Sequence, residues 1–139
     1  MTRPSWLGYA WAAPTSLLGL AAVALTAPSL HVVDGVLEAH GARLARLLDL
    51  AAPRMRVLAM TLGHVVIARD AGALHESRAH ERVHVRQAEC WGPLFVPAYL
   101  AASVVAWASG GDAYTDNAFE RAAWSAAPID TPRRDALPI

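Results

Sequence analysis

The sequence predicts a small α+β fold preceded by an apolar N-terminal helix. Three observations predict it. No residue from Pro4 to Val33 carries a formal charge. Two β-prone stretches follow, Leu30–Gly41 and Met55–Ala68. A long stretch of good helix formers without proline then runs from Ala73 to Trp91. With 139 residues the chain holds one domain with a modest core. The apolar share is 55% and the mean hydropathy is +0.27, both high for a water-soluble domain. The 12 basic residues, all arginine, balance 12 acidic ones, so there is no electrostatic case for a nucleic-acid partner. The single cysteine, Cys90, allows no disulfide within the chain.

The first element is the run Trp6 to Ala27. Its length meets the ~20 residues a bilayer-spanning helix needs, and Trp6, Tyr9 and Trp11 sit at its start as interfacial aromatics do. We therefore read residues 1–29 as an apolar helix serving as a membrane anchor, whose removal would free a soluble domain. Two other readings stay open: a signal peptide cleaved near Ala22-Val23-Ala24, and a buried core helix. Residues 30–127 form the domain proper. Asp34-Gly35 lies between two β-prone runs and suits a type I′ hairpin turn. Ala42 to Leu50 has helical spacing and ends before Pro53. Met55 to Ala68 reads as one strand with Gly63 as a bulge. Asp70-Ala71-Gly72 reads as a turn, followed by a helix over 73–91. Gly92-Pro93 breaks it, Leu94 to Ser109 forms a second apolar helix, and Asp116 or Asn117 caps a last helix ending near Ala126. The tail, 128–139, carries three prolines and reads as loosely ordered.

The chemistry lies in His80-Glu81-Arg82-Val83-His84. Residues four apart on a helix share a face, so both imidazoles can reach one metal ion. Glu81 is placed to act as a general base without ligating the metal, the arrangement of the HExxH pattern. A tetrahedral zinc site with a water position needs a third protein ligand. Glu120 on the last helix is the candidate. Glu76 is on the same face as His80. At 1.5 Å per residue, however, it lies about 12 Å along the axis from His84, too far to share an ion. His75 and His64 are weaker candidates. Gln87 could hold a ligand, and Tyr99 or Tyr114 could donate to an oxyanion. Trp91, Trp107 and Trp124 read as core or interface residues. Arg78, Arg82 and Arg86 recur every four residues and read as a solvated face with Glu76 and Glu89 nearby.

From Thr61 to Trp124 the chain resembles a small gluzincin-type metallopeptidase domain, in which HExxH lies on one helix and a glutamate on a later helix completes the site. The blocks His80–Gln87, Trp91–Tyr99 and Asp116–Glu120 are similar to those of a group of uncharacterised bacterial proteins. The resemblance implies a zincin-like fold and His80, His84 and Glu120 as zinc ligands, with Glu81 as the base. It also implies a peptide or protein substrate and a place in the bacterial cell envelope. Many gluzincins carry Asp four residues after the ligand glutamate to support a ligand histidine; here Trp124 stands there. A non-catalytic metal-binding membrane protein or assembly subunit is the alternative. One constraint links membrane and metal. Trp91 to Gly111 is also uncharged and long enough to span. If both apolar runs crossed, Glu120 would lie on the far side from His80 and His84. The Glu120 assignment therefore requires Leu94–Ser109 to be a core or interfacial helix.

Overall fold

The computed structural model describes residues 4–26 and 28–129. Helix α1 (Trp6–Thr26) leads into strands β1 (Ser29–Val33) and β2 (Val36–His40), then helix α2 (Ala42–Ala51). Strands β3 (Ala59–Leu62) and β4 (Val65–Ala68) follow, then helix α3 (Ala71–Trp91), a 3-10 turn at Gly92–Leu94, helix α4 (Phe95–Ala108) and helix α5 (Ala118–Ala126). The fold is α+β with one small mixed sheet in the order β1-β2-β4-β3. β1 pairs antiparallel with β2, β2 parallel with β4, and β3 antiparallel with β4.

The β1–β2 turn is as the Asp-Gly pair predicts. Asp34 (φ 50°) and Gly35 (φ 80°) are both left-handed, as a type I′ turn requires. The single strand expected over 55–68 is instead a second hairpin. Gly63 (φ 65°) sits in its tight turn rather than in a bulge, and only residues from Ala59 onward pair. A residue free of a Cβ reverses the chain within two positions where a bulge would only kink it. Helix α3 begins two residues earlier than expected because Asp70 is its cap, its Oδ1 accepting from Ala73 N at 2.8 Å. Gly92 and Pro93 convert the break after α3 into the 3-10 turn. The expected tail over 128–139 falls, from residue 130 on, outside the described residues, as does Arg3.

Period-two alternation sends the strands' side chains to two helical layers. Val65 and Ile67 pack with Val23 of α1 and with Leu44 and Leu48 of α2. Val66 and Ala68 pack on the other face with Leu74 and Val85 of α3. A third cluster joins Ala12 of α1, Ala88 of α3 and Phe95 of α4. Helix α1 is thus part of the packed unit along its length. Its buried row is Gly8, Ala12, Thr15, Gly19 and Val23. Small residues let the helix approach closely; a Cβ on Gly19 would collide with Val65. Two helical stretches, Trp6–Thr26 and one within the continuous Ala71–Ala108, are long and apolar enough to cross a bilayer by length and composition.

The arginine row is the clearest correction. Arg82 is buried and Arg78 half-buried. They clasp Glu38 of β2, Arg78 Nη2 donating to Oε2 at 2.8 Å and Arg82 Nη2 to Oε1 at 2.7 Å. Glu38 is 1% exposed and Arg82 5%. Only Arg86 of the three is exposed, and Glu89 pairs with His64 at 2.9 Å instead of with an arginine. Glu38 shares the inward face of β2 with Val36, two residues earlier, and that face looks onto α3. Alternation along the strand was the available signal.

Candidate metal centre

Helix α3 carries His80 and His84 one turn apart on its buried face. Their Nε2 atoms lie 3.2 Å apart. Helix α5 brings Glu120 to the same point. Glu120 Oε2 is 3.2 Å from His80 Nε2, and Oε1 is 3.3 Å from His84 Nε2. One donor atom from each residue lies within 4.8 Å of the others, a group that could hold a metal ion. All three are buried, His80 to 1%, Glu120 to 3% and His84 to 5% exposure.

Partners on the far side of each ring set its tautomer. His80 Nδ1 lies 3.3 Å from the carbonyl of Ala127, which can only accept, so Nδ1 carries the proton. His84 Nδ1 is 2.8 Å from Gln87 Oε1, and Gln87 Nε2 in turn donates to the carbonyl of Phe119 at 3.1 Å. In the neutral rings both Nε2 lone pairs therefore point at one another and at a carboxylate. Such an arrangement is unfavourable unless a positive charge lies among the three groups. A proton on His84 is one source of that charge. Burial pulls His84 down, but the Glu120 hydrogen bond and the charges of Glu81 and Glu120 outweigh it and raise its pKa to about 9. Burial pushes Glu120 up, but hydrogen bonds from His80 and His84 prevail and hold it at about 2. The site stabilises cationic charge facing an ionised carboxylate.

Local sequence explains why Glu120 arrives there. Asn117 caps α5, its Oδ1 accepting from Phe119 N at 2.8 Å. Its Nδ2 donates to the Tyr99 carbonyl at 3.0 Å and to Ser103 Oγ at 2.8 Å, which pins the start of α5 to α4. Tyr99 Oη then donates to Glu120 Oε1 at 2.6 Å, while burial and the charge of Glu120 push the Tyr114 hydroxyl above its ordinary range. The two tyrosines expected as oxyanion donors thus face the carboxylate. Because α4 folds back and lets α5 return against α3, the cluster is incompatible with α4 separating two sides of a membrane.

Glu81, also 5% exposed, turns to the sheet, where Thr61 Oγ1 of β3 donates to its Oε2 at 2.6 Å. Burial raises its carboxyl above the ordinary range, opposed by the charge of His84 and the Thr61 hydrogen bond. Thr61 was missed as a partner of Glu81; its inward position on an edge strand was the only hint. The weaker candidates lie elsewhere. His75 and Glu76 are exposed on α3. His64, in the β3–β4 turn, is buried against Glu89 and Tyr9. Trp124 packs its ring 4.7 Å from that of His80. The ring supports His80 by contact, while the Ala127 carbonyl takes the hydrogen bond of its Nδ1. No family model matches the chain, and no curated protein and no solved structure matches it.

Proposed function

We propose that the chain is a zinc-dependent hydrolase, a membrane-associated metallopeptidase of the bacterial envelope, with His80, His84 and Glu120 as the metal ligands. One observation carries this reading: two imidazoles with their Nδ1 atoms tied back turn their Nε2 atoms to one buried carboxylate. Two histidines and a carboxylate are a common catalytic zinc set, which leaves a fourth position open. Zinc, when bound, supplies Lewis acidity to such a site. Glu81 acts as the base, taking a proton from the attacking water and returning it to the leaving amine. Burial raises its pKa, the direction that favours holding a proton between the two transfers, and Thr61 fixes its orientation. Tyr99 and Asn117 hold Glu120 in place.

A second reading, a non-catalytic metal-binding membrane protein, is favoured by the near-complete burial of all four residues. Metal content and peptide turnover of the wild type and of Glu81→Gln separate the two. The hydrolase reading expects about one zinc per chain in both proteins, with turnover only in the wild type. Zinc without turnover in either overturns it in favour of the second reading. Full zinc in a His80→Ala/His84→Ala double variant overturns both.

A further inference from the structure

We infer that the outward faces of α1 and α4 seat the protein in one leaflet of a neutral bilayer, with α1 lying in the membrane plane rather than crossing it. Helix α1 turns its small residues inward and its large ones outward. Trp6, Leu7, Trp11, Leu17, Leu18 and Leu25 are all exposed, Leu25 by 82%. Helix α4 repeats the pattern, with Phe95 and Ala106 inside and Leu100, Val104, Val105 and Trp107 outside, Trp107 by 71%. A helix on a water-facing surface shows the opposite arrangement. The two rows meet where Trp11 lies against Gly92, beside exposed Trp91 and Leu94.

Lipid, rather than a second copy of the chain, is the occupant these faces fit. No charged residue lies between Pro4 and Val33 or between Trp91 and Gly111, so neither helix offers the polar rim of a protein interface. Tryptophans stand instead at the start of α1, at the end of α3 (Trp91) and near the end of α4 (Trp107), as at a lipid–water boundary. With no arginine on either helix, attachment rests on apolar burial and needs no anionic lipid.

The packing of α1 sets its orientation. It is fastened at every turn. Tyr9 donates to the Gly35 carbonyl, Ser16 Oγ accepts from His64 N at 3.0 Å, Gly19 abuts Val65, and Val23 enters the core. An upright α1, about 31 Å long at 1.5 Å per residue, would draw the sheet into hydrocarbon with it. Among the described residues the sheet has an open edge at β1, and exposed Asp34 sits beside Gly35; lipid tolerates neither. Lying flat, α1 immerses only its outer face.

Nitroxide labels on single cysteines in a Cys90→Ser background test this, with the full chain in phosphatidylcholine vesicles. Leu7, Leu18 and Leu25 share one face within about 20° at 100° per residue. Labels at Leu7→Cys, Leu18→Cys, Leu25→Cys and Val104→Cys should report one shallow depth, about 5–10 Å, from their relative accessibility to oxygen and to a water-soluble nickel chelate. A label at His75→Cys should stay aqueous. Binding should be unchanged by salt. Leu18 near the bilayer centre with Leu7 and Leu25 at opposite surfaces would overturn the inference, as would aqueous exposure of all four labels. Spin–spin broadening at these positions without lipid would overturn it in favour of a dimer. Circular dichroism checks each labelled fold, and Leu17→Cys replaces Leu18→Cys if that variant unfolds.

Discussion

At the residue scale, the donor set agrees with the helix rise in choosing Glu120 over Glu76. Glu76 is exposed on α3, whereas Glu120 touches both histidines. Glu120→Ala is therefore expected to weaken zinc binding by orders of magnitude and Glu76→Ala to leave it nearly unchanged, as read by competition with a chromophoric chelator. The same site has a signed pH dependence. In the metal-free protein His84 titrates near 9, above its usual 6.5. Its contribution to apo stability is fully present below 6.5 and is lost as pH rises through about 9. Zinc uptake runs the other way, because the metal must displace that proton. Zinc affinity should rise about tenfold per pH unit and level off near pH 9; a flat profile between pH 6 and 8 would contradict the assignment.

At the element scale, α3 is held to the sheet by charge as well as by apolar packing. Buried Glu38 receives buried Arg82 and half-buried Arg78. Removing one member of a buried ionic group strands the other charge, at a cost of about 3–5 kcal/mol. Glu38→Ala should therefore lower the free energy of unfolding by about that amount in urea titration. Arg86→Ala, on the exposed side of the same helix, should change it by less than about 0.5 kcal/mol. Equal effects at the two positions would mean that the clasp is absent in solution.

At the scale of the whole molecule, α1 is part of the packed structure. A separable anchor would leave a soluble domain when residues 1–28 are removed. Removal would instead strip Val23 and Ala12 from two core clusters and uncover Val65 and Ile67 on the sheet. We expect the truncated chain to lose cooperative thermal unfolding and to aggregate. A monomeric, cooperatively folding product would show that α1 adds nothing to the core.

The sequence by itself determined what depends on local chemistry and regular spacing. The i, i+4 pair His80 and His84, the Asp34-Gly35 turn, a cap at Asp116 or Asn117 and the uncharged runs follow from helix geometry, turn sterics and composition. The choice of Glu120 rested on ligand count and resemblance, and only the return of α5 against α3 places it beside the histidines. Tertiary structure alone decided the pairings that join residues distant in the chain. Glu38 captures Arg82 44 positions away, Thr61 holds Glu81, and the carbonyl of Ala127 fixes the His80 ring. It also decided which side of α1 is buried, because a uniformly apolar helix carries no periodicity to mark one. Such contacts arise from how elements of differing period are stacked, and no local pattern encodes them.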